Sequence, residues 1–214
     1  MSNQFKSKIV VLFKRFERFW HWAQAIIIIL LLFTGLEMHG FFRLFGFAKA
    51  VNLHNYTGFI WTVLVVLIYT WILTTNEWQQ YFPSSKTFKD FKGIYKTIRF
   101  YLYGVFVGED HPHHMTLDDK FNPLQRLGYI GILFGLVPLQ LITGLLYFFF
   151  PELRAAGIIS HVEVIAMLHT ISSYALLSFI VIHIYMTTFG KKLTTHIKTM
   201  ITGKEKVDDH SENK

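Results

Sequence analysis

Four histidines carry most of the chemistry open to this sequence: His21, His54, His169 and His183. The last two stand fourteen residues apart in a stretch, Val164 to Gly190, that holds no Asp, Glu, Lys or Arg. Fourteen helical steps fall about 40° short of four full turns, so both rings leave one face, roughly 21 Å apart along the axis. Ionisable side chains inside an apolar helix are costly and rarely kept without a use. Neutral imidazole is the commonest metal ligand, and two imidazoles at two depths point to two metal centres. The chain has no cysteine among its 214 residues. That excludes disulfides, thiolate-bound clusters and the Cys-x-x-Cys-His attachment of covalent haem. A metal must be held by histidine or carboxylate, and a haem must be non-covalent.

The elements that position these histidines are apolar spans. The chain is 52% hydrophobic and only 16% charged, against about 25% charged in an average soluble domain. Four spans are expected, at about 18–38, 53–74, 127–150 and 164–190, in an all-α, membrane-embedded four-helix bundle forming one domain over 1–203. Pro138 is expected to kink the third span. Residues 204–214 read as a polar, disordered tail. The first twenty residues mix charges and lack a cleavage site, so they do not read as a cleavable signal peptide. Between spans two and three, residues 86–104 alternate basic and apolar positions at three- and four-residue intervals. Lys89, Lys92, Lys96 and Arg99 form one face, and Phe88, Phe91, Tyr95, Ile98 and Leu102 another. This is the pattern of a helix lying on a membrane surface or packed on a soluble partner.

The net charge of +7 does not signal nucleic acid, because the basic residues cluster in particular loops. Five Lys and Arg lie in residues 1–18, two in the first loop, seven between Lys86 and Arg126, one in the third loop and six from Lys191 onward. The positive-inside rule places both termini and the long middle loop in the cytoplasm of a bacterial inner-membrane protein. Depth then sorts the histidines. His21 opens span one and His183 closes span four on the inner side. His54 opens span two and His169 begins span four on the outer side. Two imidazoles per site on facing helices suit the bis-histidine ligation of a b-type haem, whose filled axial positions favour electron transfer over oxygen binding. Zinc or copper would leave such sites underfilled. A single buried histidine could instead be an interhelical hydrogen-bond donor. Arg15 and Arg18, beside His21, are candidates for the inner haem propionates, or else charges that set topology. Gly35 in LFTGL and Gly144 in LITGLL mark a weak internal symmetry. They would admit either a bulky planar group or ordinary helix packing. His111, His113 and His114 form a dense tract that reads as a solvated loop or partner contact more readily than as a metal site.

At these residues the sequence resembles the di-haem cytochrome b subunits of membrane-bound formate dehydrogenases, nickel–iron hydrogenases and thiosulfate reductases. The stretches that carry it are RFWHWA around His21, NLHNYTG around His54, KFNPLQRLGYIG before span three, AMLHT around His169 and IVIHIYM around His183. The resemblance covers about residues 10–203. It implies a bundle holding two b-type haems, with axial ligands His21, His54, His169 and His183 paired as depth suggests. It also implies a quinone (menaquinone or ubiquinone) at the cytoplasmic end, contacted by Asn122 and His183, with Gln125 as a neighbour. The residues themselves give Asn122 a second reading, as a helix N-cap before Pro123. The HPHHM and NPLQ stretches resemble the thiosulfate-reductase and hydrogenase branches more than formate dehydrogenase.

The resulting expectation is a membrane electron-transfer subunit. It would link an extracytoplasmic iron–sulfur subunit or multihaem c-type cytochrome, itself joined to a catalytic subunit, with the quinone pool. It would not convert the substrate itself. Two other classes compete: a non-redox membrane anchor with structural histidines, and a histidine-lined metal-ion transporter. A transporter usually keeps carboxylates in its pathway, and the cores of spans two to four have none.

Overall fold

Long apolar runs form helices here because only a helix satisfies every backbone polar group within one segment without water. The computed structural model describes residues 7–75, 91–109, 122–189 and 193–208. Among these, helix α1 spans Arg15–Met38 and α2 spans Phe47–Thr74. The amphipathic α3 spans Phe91–Leu102. The third span is α4, Pro123–Ile130, a π-helical turn over Gly131–Leu136, and α5, Val137–Phe148. A short α6, Phe150–Ala155, leads to α7, Glu163–Thr187, and then α8, Thr195–Thr202. Four of these stretches are long and apolar enough to cross a membrane: Arg15–Met38, Phe47–Thr74, Leu124–Phe148 and Glu163–Thr187. The all-α membrane architecture with four spans is therefore what the chain adopts.

The described chain divides into two compact units. The first contains residues 20–75 and 129–182, the greater part of all four spans. It is a four-helix bundle, centred on Trp61, Val65, Val137 and Leu176, with Ile28 and Leu31 of α1 against them. Outward positions such as Ile29, Val63, Ile142 and Ile171 are exposed, as lipid-facing residues of a span are.

Two local features depart from the expected boundaries. Helix α2 starts at Phe47, ahead of the expected Leu53. Its start is set by Glu37, a buried carboxylate at the end of α1, whose Oε1 accepts the N–H groups of Leu44, Phe45 and Gly46 at 2.9, 2.7 and 2.7 Å. Gly46 turns the chain at φ 83°, a left-handed value that glycine adopts without strain. The third span widens into its π turn ahead of Pro138, and the hydroxyl of Tyr69 donates to the Leu133 carbonyl within it. Proline has no N–H to give the helix ladder, and a π turn is one of the few ways a helix absorbs such a fault.

The second unit contains residues 7–19, 91–109, 122–128, 183–189 and 193–208. Strand β1, Ser7–Val11, pairs antiparallel with β2, Lys204–Asp208, with Val11 opposite Lys204. The stretch after Gly203 is thus a paired strand up to Asp208, where a disordered tail was expected; residues 209–214 lie outside the described chain. The pairing follows from the turn before it. Gly203 ends α8 at φ 78°, and its carbonyl accepts the N–H groups of Leu12 and Phe13 at 2.8 and 3.3 Å. Residues 86–90 of the expected amphipathic segment lie outside the described chain. In α3 itself, Thr97 and Phe100 are buried while Phe91, Tyr95 and Leu102 are exposed. Arg99 forms a two-pronged pair with Glu109 at 2.7 and 2.8 Å, which holds the guanidinium above its ordinary pKa.

Candidate functional site: a paired histidine clasp

The LFTGL and LITGLL repeats each present a Thr–Gly pair to a histidine. Thr34 of α1 lies against His54 of α2, and Thr143 of α5 lies against His169 of α7. A threonine hydroxyl has one proton to give. Thr34 gives its proton to the Leu30 carbonyl at 2.8 Å, so it accepts from His54 Nδ1, 2.9 Å away. Thr143 gives its proton to the Leu139 carbonyl at 2.7 Å and accepts from His169 Nδ1 at 3.1 Å. Both threonines are buried, so water does not compete for these contacts. The consequence is the same on both sides. With the hydroxyl protons on those carbonyls, each threonine oxygen is placed to accept from Nδ1–H, the tautomer in which Nε2 would be the nitrogen offered to a metal. A ligand's far nitrogen is usually fixed in this way by an acceptor.

Gly144 makes the approach of the His169 ring possible, and Gly35 lies beside the His54 ring. A Cβ built on Gly144 would stand 3.0 Å from Cε1 of His169, and one on Gly35 would stand 3.6 Å from Cε1 of His54. The groups these glycines admit are thus the histidine rings. The two rings face each other with centroids 6.3 Å apart and planes at 78°. Two metal–imidazole bonds of about 2.0 Å plus two ring radii come to roughly 6 Å. Spacing and chemistry together fit a site in which His54 and His169 would hold one haem iron.

Seven residues along each helix from Gly35, His54, Gly144 and His169 stand Ile28, Trp61, Val137 and Leu176, which pack together as the apolar centre of the bundle. The ligand layer and the apolar layer thus repeat with the heptad spacing of packed helices. Between them lies a polar pair that sequence reasoning missed. Gln140 places its side-chain amide within hydrogen-bond reach of His169 and of the Ser172 hydroxyl, which also reaches the Leu168 carbonyl at 2.7 Å. Thr34 and Thr143 were missed as well. Their signal was the repeated Thr–Gly, whose glycine drew attention away from the threonine beside it.

The other expected site residues are placed as follows. His21 lies on α1 in the bundle unit, partly buried, with Trp22 edge-on to it at 5.2 Å. His183 lies on α7 in the second unit, also partly buried. Arg15 is exposed at the first residue of α1. Arg18 donates from Nη1 to the Ile201 carbonyl at 2.6 Å, tying α8 to the start of α1 within the second unit. His111, His113 and His114 lie outside the described residues.

Asn122 and Gln125 form a reciprocal cap in the second unit. Asn122 Oδ1 accepts the Gln125 N–H at 2.8 Å, and Gln125 Oε1 accepts the Asn122 N–H at 3.0 Å. This is the capping-box arrangement, and it bears out the N-cap reading of Asn122 ahead of Pro123. Asn122 is only 2% exposed. Its side chain also bonds Tyr101, whose phenol is pushed up in pKa by burial against the opposing pull of that bond. The Tyr101 ring lies 5.8 Å from Phe189, which in turn meets Tyr185 edge-on at 4.6 Å. A buried amide, a phenol and an aromatic wall therefore adjoin at the start of the third span.

Residues 12–203 match the sequence family described as prokaryotic cytochrome b561. A cytochrome of Escherichia coli strain K12 named YdhU is 32% identical over 214 aligned residues, spanning 91% of this chain and 74% of that one.

Proposed function

Because this chain belongs to the prokaryotic cytochrome b561 family, whose members are membrane cytochromes b of electron transfer, we propose that it carries electrons between an extracytoplasmic redox partner and the membrane quinone pool, with two b-type haems held by His54 with His169 and by His21 with His183. The observation that supports this best is the clasp. Two rings stand 6.3 Å apart, each with its Nδ1 against a buried threonine hydroxyl, and the His169 ring has its room from Gly144. A haem bound there supplies a one-electron iron couple without an open position for oxygen. Thr34 and Thr143 fix the ring tautomer. Gly144 leaves the His169 ring room to reach its position. The apolar layer of Ile28, Trp61, Val137 and Leu176 excludes water from the middle of the bundle.

The inner pair and the quinone site rest on sequence depth and on the buried group around Asn122. Asn122 and Gln125 are the residues proposed to hold a quinone carbonyl, beside Tyr101 and with His183 as the ligand closest to it. The cytoplasmic orientation follows from the distribution of Lys and Arg, and it puts the His169 end of α7 on the side of the partner. That partner is proposed to be an iron–sulfur or multihaem c-type subunit attached to a catalytic subunit.

The experiment is a reduced-minus-oxidised absorption spectrum of the purified chain with haem counted per protein. About two b-type haems are expected. His169→Ala should lose one of them and His183→Ala the other, the latter with loss of quinone-linked turnover. Folded variants that keep both haem signals would overturn the ligand assignment, and a colourless folded protein would favour an anchor or a transporter.

A further inference from the structure

We propose that α3 is a lipid-binding helix that lies along the headgroup layer at the C-terminal end of α7, with one side in the acyl boundary and Lys92 and Lys96 on acidic phospholipid headgroups. The proposal rests on the membrane architecture and not on the haem reading. Around α3 the residues sort into three rows at helical spacing. Gly93, Thr97 and Phe100 form the first, and Thr97 and Phe100 are buried against the protein. Phe91, Tyr95, Ile98 and Leu102 form the second, and they are 76%, 67%, 39% and 74% exposed. Lys92, Lys96, Arg99 and Tyr103 form the third, all exposed, about 100° further round the helix. The short turn that follows, Gly104–Val107, adds exposed Phe106 and Val107. Large apolar side chains left uncovered in one continuous row mark a surface that something else covers.

Two contacts set the depth of this row. The Tyr185 hydroxyl, in the last turn of the spanning α7, donates to the Tyr101 carbonyl at 3.1 Å, and the Tyr101 ring meets Phe189 at 5.8 Å. Tyr101 also bonds the side chain of Asn122, at the start of the third span. The C-terminal end of α3 is thus tied to the ends of two spans, where hydrocarbon gives way to headgroups. Tyr95 and Tyr103 suit that zone, because a phenol carries an apolar body and a polar tip. A soluble protein covering the row would have to displace the bilayer already at that level. The charges select the headgroup. Glu109 takes the Arg99 guanidinium at 2.7 and 2.8 Å. A Cβ on Gly104 would stand 2.7 Å from Glu109 Oε2, so that glycine lets the carboxylate return to Arg99. Among the described residues Lys92 and Lys96 have no such partner. Two ammonium groups along the edge of an apolar row match acidic phospholipid, since apolar burial and attraction to anionic lipid act together. Each lysine near an anionic surface favours it by about fivefold.

The chain has no cysteine, so single introduced cysteines can carry nitroxide labels. The test is collision spectroscopy of the full chain in nanodiscs of phosphatidylcholine, with and without phosphatidylglycerol. Labels at Tyr95→Cys and Leu102→Cys should favour oxygen, which concentrates in hydrocarbon, several-fold over a water-soluble nickel chelate. A label at Lys92→Cys should show the reverse. A second measurement needs no cysteine and follows spin-labelled phosphatidylglycerol in the same nanodiscs. Lys92→Gln with Lys96→Gln should lower its motionally restricted fraction and leave that of spin-labelled phosphatidylcholine unchanged. Arg99→Gln with Glu109→Gln removes no net charge and should leave both fractions unchanged. Chelate access at Tyr95 and Leu102 would put the row in water. Exclusion of both reagents there would put it against a soluble partner or a second copy of the chain. Unchanged phosphatidylglycerol selectivity in the lysine variant would take the headgroups away from Lys92 and Lys96. Each of these three results would overturn the proposal.

Discussion

Gly144 leaves the His169 ring little spare room: a Cβ at that position would stand 3.0 Å from Cε1. Real Cβ contacts are rarely so short, so Gly144→Ala must shift the ring by a few tenths of an ångström. The expected result is loss or distortion of one haem signal. Gly35→Ala, with its Cβ at 3.6 Å from His54 Cε1, makes an ordinary contact and should leave haem content unchanged. Haem stoichiometry of the two variants, measured side by side, checks the asymmetry.

The threonines act on tautomer and orientation. Thr143→Val keeps the shape of the residue but removes the acceptor for His169 Nδ1. Loss of such an outer partner typically costs about 10–100-fold in metal-site affinity or activity. The expected outcome is weakened haem retention, read by competition with an apo-haem acceptor, and rescue by Thr143→Ser. Thr34→Val should behave alike at His54. A threonine pair with no effect on haem affinity would show that the rings are seated by packing alone.

Asn122 has two separable roles. Replacing an N-cap asparagine with alanine costs about 1 kcal/mol, so Asn122→Ala should lower thermal stability modestly and also weaken quinone-site inhibitors, with both haems intact. Asn122→Asp keeps the oxygen that caps Gln125 but loses the amide donor. It should recover the stability and not the inhibitor affinity. Recovery of both would assign Asn122 to the cap only.

How much of this was legible beforehand depended on which physical signal each feature leaves in a sequence. Spans declare themselves by the length and apolarity of Val164–Gly190 and its counterparts, and ligands by histidines in segments where charge is costly. The clasp did not, because Thr34 and Thr143 are ordinary residues in an apolar helix and become informative only once the next helix is placed against them. Gln140 was harder still. One amide in a span has no periodic partner, and its meaning comes from Ser172, which lies 32 residues away. The start of α2 eluded periodicity because Glu37, a charge at the end of the preceding span, sets it through three backbone N–H groups.

Glu37 also gives a stability test outside the redox chemistry. Glu37→Ala leaves the N–H groups of Leu44, Phe45 and Gly46 without their shared acceptor at the start of α2. A clear fall in melting temperature in detergent is expected. Glu37→Gln, which keeps one acceptor oxygen, should fall less. Equal melting temperatures for all three proteins would show that solvent or lipid satisfies those amides.

The β1–β2 ribbon has a consequence for the order of synthesis. Val11 pairs with Lys204, so β1 leaves the ribosome long before its partner exists and must wait while all four spans are made and inserted. Contacts so distant in sequence form late. Until then Leu12 and Phe13 lack the Gly203 carbonyl that receives their amides, and Arg18 lacks Ile201. The ribbon therefore closes only on a chain whose last span has already been synthesised.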